Sequence, residues 1–229
     1  MATPASAAAL NVVMLGPPGA GKGTQAERLA RVRGVPKIST GDILREAVQA
    51  GTRLGSIAKA TMEAGNLVGD EVVIGIVQER LDQPDARAGF VLDGFPRTVV
   101  QASALDRMVD GRGTLIVLEM VVPEDVLVRR LATRRICSKC GANAAVEWTT
   151  VCGRCGGALV ARPDDNVDIV RERLKIFQRE TKPLVDYYSA RPSFRRIDGN
   201  QPPDVVTAAI DAAIAAASHA AVRAGGAAL

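Results

Sequence analysis

The 229 residues carry a formal charge of +4 and are 47% hydrophobic, enough for one soluble domain, or for one core with insertions. Aromatics make up only 3% while alanine occurs 36 times, so the core must be mainly aliphatic. A single histidine, His219 in an Ala-rich tail, argues against Ser-His-Asp or Cys-His catalysis and a His-ligated metal, and the slight excess of 23 Arg and 6 Lys over 25 acids suggests an anionic ligand without implying nucleic acid.

In chain order, Leu10–Leu15 reads as a buried strand ended by Gly16-Pro17-Pro18-Gly19. A helical pattern follows through Leu29, then a short strand over Val35–Ile38. Gly41-Asp42 opens another helix, and helical spacing over Arg45–Asn66 breaks at Gly51 and Gly65. Glu71–Leu81 predicts a helix, and Gly89–Leu92 a buried strand ending in Asp93. Leu115–Val121 is a further strand, and Pro123 starts a helix that reaches Arg135. After a cysteine-bearing segment, Asp165 is placed to cap a long helix running to Tyr188. Arg195–Ile197 predicts a last strand and Pro202–Ala217 a last helix, with residues 218–229 frayed. Strands alternating with helices predict an α/β domain built on a parallel sheet.

Met1–Ala9 has no basic region of the kind that opens a secretory signal. The best apolar stretch, Val205–Ala217, contains Asp211 and is shorter than the ~20 residues that cross a bilayer. No membrane partner and a cytoplasmic location are therefore expected. All four cysteines lie between positions 137 and 155, which points to a metal rather than a disulfide framework.

Gly16-Pro17-Pro18-Gly19-Ala20-Gly21-Lys22 matches G-x-x-x-x-G-K between a predicted strand and a predicted helix. Such a loop turns backbone N–H groups around a phosphate, the helix end adds positive charge, and Lys22 reaches the outer phosphates. The hydroxyl that usually follows the lysine is replaced by Gly23, with Thr24 one place later, so direct Mg²⁺ ligation there is not expected. Asp93 ends a strand where an acid can organise Mg²⁺, and Gly94-Phe95-Pro96 turns Arg97 away from that end. Thr40 and Arg45 form a similar cluster after the short second strand.

Cys137-x-x-Cys140 and Cys152-x-x-Cys155, 11 residues apart, have the spacing of a structural four-thiolate zinc site. A redox pair, an iron centre or an empty site are the alternatives. Gly141, Gly153 and Gly156 are expected to free N–H groups to face the sulfurs.

Taken together, Gly16–Thr24, Ser39-Thr40-Gly41-Asp42 and Leu92-Asp93-Gly94-Phe95-Pro96-Arg97 resemble adenylate kinase, in order and over about residues 10–217. The resemblance implies a phosphate-loop NTPase core with helices on both faces over 1–38, 69–131 and 166–229. It adds a helical AMP-binding insert over 39–68 and a zinc-ribbon lid over 132–165. The implied reaction is the Mg²⁺-dependent ATP + AMP = 2 ADP, which maintains adenine nucleotide balance, carried out by a monomer without nucleic acid.

The resemblance also assigns residues. Gly19, Ala20, Gly21, Lys22, Gly23, Thr24, Arg130, Arg134 and Gln201 would bind ATP. Thr40, Arg45, Asn66, Leu67, Val68, Gly94, Arg97, Gln101, Arg162 and Arg173 would bind AMP. Lys22, Asp93, Arg97, Arg134, Arg162 and Arg173 would carry the transfer, and Asp164 and Asp165 match an acidic pair after the lid. Gln101 stands where adenylate members read adenine, while uridylate and cytidylate relatives tend to carry Asn nearby. A kinase for another monophosphate is the alternative. A zinc-ribbon nucleic-acid binder is a more distant one, since Trp148 is the lone aromatic between the cysteine pairs.

Overall fold

A computed structural model describes residues 9–144 and 148–226. The N-terminal segment read for an export signal, all but Ala9, and residues 227–229 of the tail lie outside them, as does the His219 side chain. Five parallel strands form one sheet: β1 (Leu10–Leu15), β2 (Lys37–Ser39), β3 (Gly89–Asp93), β4 (Leu115–Val121) and β7 (Phe194–Asp198), in the order β2-β3-β1-β4-β7. Two further strands, β5 (Arg135–Cys137) and β6 (Leu159–Ala161), pair antiparallel and separately.

The central strands are buried on both sides, which explains their unbroken apolar runs. Val12, Met14, Ile116 and Leu118 face one layer, made by α1 (Lys22–Arg33), α6 (Glu124–Thr133), α7 (Val167–Ile176) and α9 (Pro203–Gly226). Val13, Leu15, Phe90 and Leu92 face the other, made by α2 (Thr40–Gln49), α4 (Asp70–Leu81), α5 (Val99–Met108) and α8 (Pro183–Ser189). A further helix, α3 (Arg53–Glu63), packs on α2. The α/β reading of the sequence therefore holds.

Several boundaries differ from expectation. The second strand forms at Lys37–Ser39, because it pairs with Val91–Asp93. The sixth helix stops at Thr133, and Arg135 enters β5. Helix α7 is capped by the Asn166 side chain rather than Asp165, whose carboxylate is held by Arg134 and Arg173. The long helix to Tyr188 is interrupted by a π turn over Phe177–Thr181, closed by the Lys182 N–H donating to the Phe177 carbonyl. Val170 and Leu174 before that turn join the first layer, and Leu184 and Tyr188 after it join the second. The last helix does not fray at 218 but continues to Gly226, as its alanine content favours. Helix α5 was not expected at all.

Candidate phosphoryl-transfer site

The carboxyl ends of β1, β2, β3, β4 and β7 open into one cleft, as ligand sites do in open parallel sheets. The loop after β1 needs glycine at its first position: Gly16 has φ +139°, and a Cβ there would come within 2.7 Å of the Met120 carbonyl oxygen. Helix α1 then starts at Lys22, after a Gly21 that offers no side-chain cap, and has no acid in its first turn. Its first N–H groups are thus left for an anion. Lys22 donates to the carbonyls of Gly16 and Pro17 at 2.6 and 2.8 Å. Desolvation of its ammonium, only partly opposed by Asp93, lowers its pKa to about 8. The Asp93 carboxylate flanks the loop, 3.2 Å from where a Cβ on Gly23 would stand. Thr24 is exposed, in keeping with its doubtful place as a metal ligand.

The turn after β3 is tied in from several sides. Arg97 donates from Nε to the Gly94 carbonyl at 2.8 Å, and the Thr40 hydroxyl donates to the same carbonyl at 2.8 Å. Thr181, in the π turn, donates its hydroxyl to the Arg97 carbonyl at 3.0 Å. Arg45 is paired with Asp42. Although burial opposes its ionisation, Asp42 is held at about 2 by Arg45 and Lys37. Gln101 is buried, its Oε1 accepting from the Arg97 N–H and its Nε2 donating to Asp70, each at 2.8 Å.

Burial sorts the arginines that the sequence crowds together. Arg129 and Arg171 are 67% and 69% exposed and pair with acids on their own helices, whereas Arg134, Arg162 and Arg173 are 20%, 10% and 17% exposed. Asp165 receives Arg134 through two bonds of 2.6 and 2.5 Å, and Arg173 through a third of 3.0 Å. Arg173 also donates to Asp164 at 2.9 Å. The Nε of Arg162 is buried, and it makes no hydrogen bond among the described residues although Asp164 Oδ1 lies 3.3 Å away. Burial and then the cations around them depress Arg97 and Arg162, yet guanidinium groups stay charged.

Two cavities meet on these cations. The larger, about 670 Å³, is lined by the phosphate loop, Asp93, Arg130, Arg134, Arg162 and Gln201. The smaller, about 60 Å³, is lined by Thr40, Asn66, Leu67, Val68, Gly94 and Gln101. Arg45, Arg97 and Arg173 border both. Every residue expected at the nucleotide sites thus borders one cavity or the other. The Gln201 side chain is tied to Asp198 at 2.8 Å, which leaves its backbone for any contact in the cleft. Lys37, Asn143 and Trp148 also line the larger cavity and were not anticipated. No local motif marks them, since they come from a strand start and from the hairpin.

The four cysteine sulfurs lie within 4.8 Å of one another, so this cluster could bind a metal ion. Gly141 and Gly156 do not supply the N–H groups that face sulfur. They take left-handed turns at φ +68° and +70°, while Lys139 and Cys140 donate to Cys137 Sγ and Arg154 donates to Cys152 Sγ. The Cys140 N–H first, and then the Lys139 N–H, pull Cys137 down to about 6. A backbone N–H at Gly157 favours the thiolate of Cys155, but the sulfurs of Cys140 and Cys137 push it up to about 12. One thiol ionising ahead of its neighbours is the behaviour of sulfurs that crowd one site.

A parallel-sheet core, a phosphate loop and two cavities sharing a set of buried cations define a phosphate-loop phosphotransferase with two anionic substrates. The family model described as adenylate kinase matches residues 14–193. The chain is 50% identical over 199 residues to the adenylate kinase of Archaeoglobus fulgidus, covering 84% of this chain and 92% of that one. It is 48% identical over 212 residues to those of Rhizobium etli and Moorella thermoacetica, covering 89% and 90% of this chain and 98% of each relative. The chain belongs to the adenylate kinase family and is a nucleoside monophosphate phosphotransferase.

Proposed function

We propose that the chain catalyses the reversible, Mg²⁺-dependent transfer of the terminal phosphoryl group of ATP to AMP, giving two ADP. The observation that carries this reading is the set of cations, Arg45, Arg97 and Arg173, that border both the phosphate-loop cavity and the smaller one, with Arg162 beside them on the larger. ATP takes the larger cavity, with its phosphates on the loop N–H groups and Lys22, near Arg130, Arg134 and Gln201. AMP takes the smaller, with its phosphate on Arg45, Arg97 and Arg173 and its base toward Gln101. An AMP phosphate oxygen attacks the γ-phosphorus in line, and the bond to the β,γ-bridging oxygen breaks. Lys22, Arg134, Arg162 and Arg173 offset the charge on the transferring group. Arg162 lines the larger cavity and so is placed to meet an anion there.

Asp93, beside the loop mouth, is the carboxylate suited to hold Mg²⁺ through water. When bound, Mg²⁺ neutralises the β- and γ-oxygens. Four sulfurs with N–H groups aimed at two of them suit structural Zn²⁺ on Cys137, Cys140, Cys152 and Cys155. We take residues 39–68 and 132–165 as an AMP-binding insert and a zinc-ribbon lid that close on the core, hinging near Ala132–Thr133 and Asp164–Val167. A monomer in the cytoplasm, serving adenine nucleotide balance without nucleic acid, completes the reading. No described helix is long and apolar enough to cross a membrane. Initial rates with AMP, UMP, CMP and GMP as acceptors test the reaction, alongside metal analysis of the same sample. A preference for AMP is expected, and a preference for a pyrimidine overturns it.

A further inference from the structure

Asp70 opens α4 and is not among the residues lining either cavity, yet both its carboxylate oxygens are committed to the start of α5. Oδ1 accepts from Gln101 Nε2 at 2.8 Å, and Oδ2 accepts from the Thr98 hydroxyl at 3.0 Å. On its other side, Gln101 Oε1 accepts the Arg97 N–H at 2.8 Å. A carboxylate can only accept and a backbone N–H can only donate. Both neighbours therefore demand the same orientation of the Gln101 amide. Turned over, it would set oxygen against the carboxylate and NH₂ against the N–H. In the held orientation, one N–H and one oxygen lone pair remain, on a side chain 1% exposed at the edge of the smaller cavity.

We propose that Asp70 is a positioning residue that sets acceptor-base specificity, by locking the Gln101 amide in the orientation that takes a 6-amino purine monophosphate over a 6-oxo one. The inference rests on Gln101 reading the acceptor base. A 6-amino purine presents a donor at C6 beside an acceptor at N1. A 6-oxo purine presents the reverse, an acceptor at C6 beside a donor at N1. A locked amide matches one order and sets like against like for the other. An amide free to turn over matches both. Leaving buried polar groups mismatched is what makes such discrimination large.

The test compares kcat/KM for AMP and IMP, with ATP as donor, in the unsubstituted protein and in Asp70→Asn, Asp70→Glu and Gln101→Ala. Asp70→Asn presents an amide that accepts or donates and leaves the Arg97 N–H as the one group that still orients Gln101, so the AMP-over-IMP ratio should fall about tenfold, the worth of the one buried hydrogen bond relaxed, with KM for ATP unchanged. Asp70→Glu still only accepts and should keep the ratio within about threefold of the unsubstituted protein. A purely structural role for Asp70 would lower both activities together and leave the ratio alone. If the ratio is unchanged in Asp70→Asn while Gln101→Ala raises KM for AMP, Asp70 has no part in the lock and the proposal is overturned, with Gln101, held by the Arg97 N–H alone, remaining the reader. If Gln101→Ala leaves KM for AMP unchanged, the reading of Gln101 falls and the lock with it. Should Asp70→Asn not fold, Asp70→Ser, whose hydroxyl also accepts or donates, takes its place and the same ratio decides.

Discussion

The sheet body and the cysteine hairpin are held together by different physics. The body buries aliphatic side chains on both faces of five strands, with Val12, Val13, Leu92 and Leu118 fully enclosed. The hairpin has two strands of three residues each, and its buried cluster is Cys137, Cys152 and Leu159. A segment with so little apolar burial cannot offset its own ordering entropy and needs a cross-link. Its four sulfurs supply one when a metal joins them. The body can therefore be rigid on its packing alone, while the hairpin would become one stiff unit through a metal held by its four sulfurs.

The sharpest way to break this contrast is to remove charge from the body without touching its packing. Lys22→Met should lower kcat/KM about 10³-fold or more. Its thermal midpoint should not fall below that of the unsubstituted protein, since the burden of burying the ammonium is removed, and differential scanning calorimetry checks this. The converse is Leu118→Ala, which removes a fully buried side chain from the sheet. It should cost about 2–5 kcal/mol in urea unfolding. Smaller in its reach is Cys140→Ser, or chelation. Limited proteolysis should then cut first between residues 138 and 158, while the affinity of the phosphate loop for inorganic triphosphate falls less than about tenfold. First cleavage elsewhere would mean that the hairpin does not depend on its sulfurs.

The smallest effect is one of pH. Lys22 has its pKa lowered to about 8 in the folded protein. The burden of burying its charge is fully present below pH 8, shrinks as pH rises and is gone above the unfolded value near 10.5. The charged form is the one that binds phosphates. Triphosphate affinity should fall by up to about tenfold between pH 7 and pH 9, with proton uptake on binding near pH 8. Calorimetric titration in buffers of different ionisation enthalpy reads that uptake, and Lys22→Met should abolish it.

Much of this was legible because it is local. The strand, the glycines and Lys22 sit within a few residues of one another, as do Asp93 and Arg97. The cysteine pairs are equally compact. What the sequence hid depends on partners far along the chain. Helix α5 buries Gln101, Ala102, Ala104 and Leu105 while Val99 and Val100 face solvent, so its apolar residues misstate its inner face. Asp165 looks like a cap until Arg134, 31 residues away, takes its carboxylate. Arg129 and Arg134 look alike in a basic run, and burial alone separates them. The partnership of Asp70 with Gln101 joins the starts of two helices and leaves no local pattern at all.

The π turn over Phe177–Thr181 sets angular phase. Such a turn adds about one residue to a helix, and one residue is about 100° of rotation. Without it, α8 would continue in step with α7, and Leu184 and Tyr188 would swing out of the layer they occupy. With it, a single length of helix serves both sides of the sheet and sends Arg173 into the cleft on the way. The phase shift falls at Thr181, the residue whose hydroxyl holds the Arg97 turn. Chain length between 176 and 183 is therefore fixed to the residue, in a stretch where an ordinary helix would accept any conservative exchange.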